Sequence, residues 1–368
     1  MSARSCVRCL KRPAQNYRRP VVDIVVINYI CVMQDFDRLG RVEAIRELFE
    51  GSGYEPYADC DFTPAAGERV INASRMLLEG IDFSLIYFPL KHLGYKSVAL
   101  ATGELYGGLA SPRTLSVKLG ISAKLGFSHI KELWDGIVAA AKEFEYSKLS
   151  LDLQPSHNGL SISVSAVGTR GVGENPAPAS KDLLCVSGAL GAAYLGLQVL
   201  ERGRSRFERG EENKEEMEKY RMLVGSYLHP ELPAGLPAAL AGDGITPSAA
   251  CFADRGLADA LLRLVRSTGL GAKVYADRIP FEGGSFELGK TLDMDPVSAA
   301  MNGGDDCRVL LAVPIAQYEA FRRNFQTFDI IGHLAQSDVG AVLVSPDGLE
   351  HPVSAPGWNT SDTISNSL

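Results

Sequence analysis

Residues 115–146 constrain the fold more than any other stretch. Leu115, Val117, Leu119 and Ile121 alternate with polar or small residues, a period of two that fits a half-buried strand. Phe127–Tyr146 follows as an amphipathic helix. Ile130, Leu133, Ile137, Val138 and Phe144 lie on one face, and Ser128 is the expected N-cap. A strand running straight into such a helix excludes a helical bundle and calls for a mixed α/β (α+β) chain.

The rest of the chain supports that class. Residues 35–52 read as a helix stopped by Gly51, residues 69–73 and 83–87 as short strands, and residues 90–106 as a helix. Leu160, Ile162 and Val164 alternate again. Asp182–Val186 is a short apolar run, and Gly188–Leu200 is a helix of small residues. Residues 201–221 are nearly all polar and fit a solvated helix, whereas residues 229–247, rich in Pro, Gly and Ala, fit a loop. Beyond them the pattern gives helices at 256–267 and 316–325, and strands at 272–279, 308–313, 328–333 and 340–345. The expected organisation is an extension at 1–34, one domain at 35–150 and a second at 151–368. The length of 368 residues suits two domains.

Composition removes several classes. The apolar share of 46% and charged share of 22% are globular values. The apolar run Val21–Met33 carries Asp23 and Asn28 and is too short to span a bilayer. Seven scattered cysteines do not resemble a secreted disulfide framework. A net charge of −7 disfavours bulk nucleic-acid binding. Arg4, Arg8, Lys11, Arg12, Arg18 and Arg19 nonetheless crowd into the first twenty residues, where there is no acid. That arm reads either as a mitochondrial transit signal or as a basic tail, so the expected location is mitochondrial, with the cytoplasm as the alternative. Cys6 and Cys9 lack a second pair at zinc spacing, and His157, His229 and His333 have no ligand partners nearby in sequence, so no metal site is expected from them.

Four strings carry a family resemblance: LLEGIDFSLIYFPLKHLGYKSVAL at 77–100, CVSGALGAAYLGLQVLER at 185–202, GLADALL at 256–262 and NGGDDCRVLLAVP at 302–314, with PGWN at 356–359 in addition. Together, in this order, the sequence resembles the thiamine-monophosphate kinases of the PurM-like superfamily. The resemblance implies two α/β domains, dimerisation through the N-terminal sheet, and ATP with Mg²⁺ in a cleft at the dimer interface. It also implies phosphoryl transfer to thiamine monophosphate.

At the family's acidic positions this sequence departs. The resemblance leaves Asp59, Glu104, Asp152, Gly303, Gly304, Asp305 and Asp306 as the remnant nucleotide and metal cleft. Cys60, Arg75, Ala189, Phe252 and Arg255 stand where the family has acids, and both aspartates of the segment at 252–256 read as lost. Asp152 keeps its acid in what the family builds as a glycine-rich loop. Arg75 and Arg255 are candidate phosphate-binding residues, because a guanidinium matches phosphate geometry. Mg²⁺ needs carboxylate oxygens. The expectation is therefore a non-catalytic accessory subunit of a larger assembly, with no catalytic residues and no cofactor, whose partners are other protein subunits. Two alternatives stand beside it: a divergent ATP- and Mg²⁺-dependent kinase, and a metal-free nucleotide or phosphate binder.

Overall fold

The computed structural model describes residues 39–355, apart from 172, 174 and 211–213. The extension, its apolar run and the PGWN string lie outside the described residues. Two sheets organise the chain. The first has four strands in the order β1-β4-β2-β3, formed by β1 (Glu68–Leu78), β2 (Ser111–Ser122), β3 (Lys148–Ser156) and β4 (Ser161–Gly171). The second has seven in the order β11-β10-β7-β9-β5-β8-β6. Its members are β5 (Leu183–Val186), β6 (Ala249–Ala253), β7 (Gly271–Tyr275), β8 (Arg308–Val313), β9 (Asp329–Ala335), β10 (Ala341–Val344) and β11 (Glu350–Pro352). The mixed α/β class is as the sequence predicts.

The division between the sheets does not fall near residue 150. β3 and β4 both belong to the first sheet, so the break lies between Gly171 and Leu183. The reason is topological. β3 pairs parallel to β2, Thr114 opposite Lys148 through Ser122 opposite Ser156, and a parallel neighbour requires a crossover helix. That helix is α3 (Phe127–Glu143). Strand, amphipathic helix and strand form one unit, and β4 then pairs antiparallel to both β2 and β1. The segment at 83–87 is not a strand; a single bridge joins Glu79 and Phe83. Gly126 rather than Ser128 caps α3, and its backbone N–H donates to Nδ1 of His129 at 3.1 Å.

The helix α1 (residues 39–49) packs on α3 through Phe49 and Trp134, with ring centroids 4.9 Å apart. α2 (Leu90–Gly107) is buried on nearly every face and touches both sheets, which makes it the central rod of the molecule. Its small residues let backbones approach closely. A Cβ on Gly136 of α3 would lie 1.9 Å from the carbonyl oxygen of Lys91, and one on Gly94 of α2 would lie 2.1 Å from that of Leu133.

The second sheet carries α4 (Ala192–Glu208), α5 (Lys214–Lys219), α6 (Arg221–Leu228), α7 (Leu236–Gly242), α8 (Leu257–Thr268), α9 (Ser285–Leu292), α10 (Pro296–Asn302) and α11 (Tyr318–Asn324). The Pro- and Gly-rich stretch at 229–247 thus contains the short helix α7, started by Gly235 in the left-handed region.

Gly136→Ala should destabilise the fold by about 1–3 kcal/mol, because backbone lies on both sides of the contact and neither can yield cheaply. Gly283→Ala, where no atom lies within 4 Å of an added Cβ, should be near neutral. Urea unfolding of the two variants side by side checks both.

Candidate functional site

Five elements converge where α2 meets the end of β6. Phe252, fully buried at that end, lies against Gly103 of α2, where a Cβ would sit 2.1 Å from its ring. The large ring at 252, which stands where the family has an acid, therefore requires the glycine at 103. Their contact brings the following residues, Asp254 and Glu104, into one cluster.

Arg75 of β1 completes it. Its Nη2 donates to Oε1 of Glu104 at 2.7 Å and also to Oδ2 of Asp254. Asp254 is almost fully buried. Arg263 of α8 approaches from the other side, its Nη2 3.6 Å from Oδ1 of Asp254 and its Nη1 3.9 Å from Oε2 of Glu104, while its Nε bonds Asp259 at 2.8 Å. Arg255 is largely exposed and reaches Asp254 at 3.8 Å. Burial pushes the carboxyls of Glu104 and Asp254 above the usual range, and the neighbouring guanidiniums, Arg75 foremost, pull them back.

Sequence reasoning missed Asp254. The acid of this segment is displaced by one position rather than lost, because Arg255 takes the family's aspartate position and the carboxylate next to it turns inward. Arg263 was missed too. Its signal was the Asp259–Arg263 spacing of four on a helix, which aligns a fork behind the site.

The Gly303–Asp306 turn backs the cluster. The N–H of Asp305 donates to the carbonyl of Asp254 at 2.6 Å, and Asp305 sits in the left-handed region at φ 65°. Its carboxylate lies 3.3 Å from Nζ of Lys96, a fully buried lysine of α2 that also donates to the carbonyl of Tyr227 at 3.1 Å and lies 3.8 Å over that residue's ring. Asp306 points elsewhere. Its two oxygens accept from the N–H groups of Gly191 at 2.6 Å and Ala193 at 2.9 Å, so it serves the start of α4 instead of the cleft. Gly303 packs against Tyr194 and is likewise structural.

The remaining expected residues stand apart. Asp152 lies in a strand, not a loop, and pairs with Arg41 of α1 at 3.4 Å. Asp59 is exposed in the segment before β1, two residues from Asp61, which pairs with Lys148 of β3. Arg75 lies on the opposite edge of the sheet, three strand spacings or about 14 Å away. It also lies on the other face: Arg75 is in register with Val164, Val117 and Leu151, so Asp152, one residue on, points oppositely. Within one chain Asp152 cannot join Glu104 and Asp254.

The Mg²⁺ implied by the resemblance does not fit the residues at the convergence. A guanidinium nitrogen already bridges the two carboxylates, and among the described residues no group of three or more His, Cys, Asp or Glu side chains could hold a metal ion.

No family model matches the chain. Sequence relatives are nonetheless clear. The thiamine-monophosphate kinase of Aquifex aeolicus is 21% identical over 329 residues, 87% of this chain and 99% of that protein. That of Synechococcus elongatus is 25% identical over 258 residues, 68% of this chain and 74% of that protein. The structure of AaThiL complexed with AMPPCP and TMP aligns with a TM-score of 0.66 at 19% identity, covering 88% of this chain and 98% of that one. The chain is thus a distant sequence relative of the thiamine-monophosphate kinases and shares their fold. The Escherichia coli hydrogenase maturation protein HypE shares the fold at a TM-score of 0.64 and 16% identity, over 87% of this chain.

These relatives overturn the expectation of a non-catalytic accessory subunit. They match over most of the chain, they are kinases by name, and a structural neighbour was solved with AMPPCP and TMP bound. The expectation rested on counting lost acids, and that count omitted Asp254. The mitochondrial expectation rested on residues 1–20, outside the described residues. No helix among the described residues is long and apolar enough to cross a membrane.

Asp306 gives this region a pH dependence. Burial raises its carboxyl to about 6, against the pull of the two N–H donors. A raised carboxyl means that the folded state holds more protons than the unfolded one between pH ~4 and ~6. Stability from this group is therefore present at low pH and falls as pH rises through that window, by about 3 kcal/mol in all. Asp306→Asn should flatten this slope in urea unfolding measured from pH 4 to 7.

Proposed function

We propose that the chain is an ATP-dependent kinase that transfers a phosphoryl group to thiamine monophosphate or a closely related phosphate ester. The observation that supports this most is the surviving charge architecture at the convergence. Acids from α2 and the end of β6, the Gly303–Asp306 turn and three guanidiniums meet at one point, in a chain that matches the kinases over most of its length. Phosphoryl transfer asks a protein mainly to position the reactants and to neutralise charge on the transferring oxygens. Arg255, exposed beside the cluster, and Arg263 supply that charge to the ATP phosphates. Glu104 and Asp254 hold Arg75 and Arg263 in place. Lys96 ties the Asp305 turn to α2 and keeps the Asp254 backbone aligned.

A second copy of the chain belongs to the same reading. The outer face of the first sheet carries a row of small polar side chains, Ser74, Ser165, Ser116 and Ser150, one on each strand, that can pair closely with its own copy. Two chains joined there give Asp59 and Asp152 a route to the partner's cleft that one chain lacks.

The test is direct. Purified full-length chain is incubated with ATP and thiamine monophosphate, and thiamine diphosphate is followed by chromatography of the thiochrome derivative. Product is expected. Arg255→Ala, an exposed change that leaves the fold alone, should lower turnover by about a hundred-fold, the scale for removing one donor to developing phosphoryl charge. Folded protein that forms no product from any thiamine phosphate rejects the reading.

A further inference from the structure

Resting on the ATP-dependent reading, we propose that the guanidinium of Arg75 is a resident cation. It holds the place between Glu104 and Asp254 that a divalent metal would take, and the Arg75, Arg255 and Arg263 group receives phosphate oxygens directly.

The geometry of Arg75 carries this. One nitrogen, Nη2, serves two carboxylates contributed by separate elements, α2 and the end of β6. That is the bridging task of a metal ion in a phosphoryl-transfer cleft. The charge bound there is fixed in covalent structure, since a guanidinium cannot lose its proton in a protein. A divalent ion placed between the same carboxylates would have to displace Arg75 and would face Arg263 within 4 Å of both acids. Mg²⁺ also demands six oxygens at about 2.0–2.1 Å in octahedral array, and two carboxylates already engaged with guanidiniums are a poor start.

The cluster also has spare donors. Nε of Arg75 and Oδ1 of Asp254 are both buried with no hydrogen-bond partner, and Arg255, largely exposed with only a long contact to Asp254, is the donor that an incoming phosphate meets first. An incoming phosphate would find donors already ordered by Glu104, Asp254 and Asp259, so little side-chain freedom is lost on binding. The ligand class is thus a polyphosphate that need not arrive as its magnesium complex. The position is matched in sequence: Ser74-Arg75 stands where the family has Thr-Asp, and Arg255 where it has Asp.

Two measurements test this independently. Free Mn²⁺ is followed by electron paramagnetic resonance in the presence of the full chain. Wild-type protein should take up no Mn²⁺ at this cluster, so that Glu104→Gln leaves the signal unchanged, whereas Arg75→Asp should bind about one ion per chain. Uptake by wild-type protein that Glu104→Gln abolishes overturns the proposal, and this arm decides even if Arg75→Asp does not fold. Calorimetric titration with ATP is then run in Mg²⁺ and in EDTA. Affinity should agree within about threefold in the two buffers, and Arg75→Gln should weaken it by about tenfold or more. A tenfold or greater loss in EDTA with wild-type protein also overturns the proposal. Absence of ATP binding in both buffers rejects the kinase reading and the phosphate half of this proposal. The Mn²⁺ arm still decides the resident cation.

Discussion

A carboxylate almost out of reach of water has to be answered by charge, and Asp254 sets that demand for the whole molecule. Left alone, it would cost several kcal/mol or take up a proton. The structure answers it with Arg75 from the first sheet and Arg263 from the helix behind it. Because Arg75 belongs to β1 and Asp254 to the end of β6, the ion pair joins the two sheets at one point. Breaking one side of such a pair is far more damaging than replacing both, since the survivor stays buried and unpaired. The two sheets therefore keep one relative register at the place where ligand chemistry would occur.

α2 makes this arrangement possible. Long polar side chains inside a helix buried on all sides are uncommon, yet α2 carries Lys96 and Glu104 on such a helix. Each is matched from the far side, Lys96 by Asp305 and Glu104 by Arg75. They lie eight residues apart, about 12 Å along the axis, so the helix acts as a ruler between the Lys96–Asp305 pair, which crosses to the second sheet, and the Glu104–Arg75 pair, which orients Arg75 toward Asp254. Its small residues allow close backbone approach to α3 and to β6, and that closeness buries Lys96 and most of Arg75, while the carboxylates of Asp305 and Glu104 stay partly exposed. Low local dielectric then strengthens each matched contact and penalises any mismatched one.

Most elements could be read from local pattern, because burial on one face imposes a period. β2, α3 and β4 follow their alternation directly. β3 was hidden by expecting a glycine-rich loop at 150–154, although Leu149, Leu151 and Leu153 alternate as cleanly as β2 does. Accepting that alternation makes β3 the return strand of a strand–helix–strand unit and moves the boundary past β4. The site was legible in part. Glu104 and Arg75 were found in sequence and do converge, while Asp305 joins them only through its backbone N–H and turns its carboxylate to Lys96. Asp306 was misassigned because two adjacent acids on a strained turn point to different sides, a feature that backbone dihedrals decide and spacing does not. Asp254 was missed because position-by-position comparison treats a one-residue shift as a loss.

That shift changes how the loss of acids reads. Counted by column, the cleft has exchanged anions for cations and should repel a metal and its chemistry alike. Counted in space, Arg75, Arg255 and Arg263 face Glu104, Asp254 and Asp259, so the cluster is electrically balanced without any ion from solution. Balance of this kind is what a cleft needs in order to stay folded while empty. An approaching polyphosphate then competes with the carboxylates for guanidinium donors, and the carboxylates hold those donors in position until it does. The same substitutions that remove the metal's ligands thus supply a replacement for its charge. Phe252 over Gly103 fixes that replacement by packing, and no single column of the sequence contains that information.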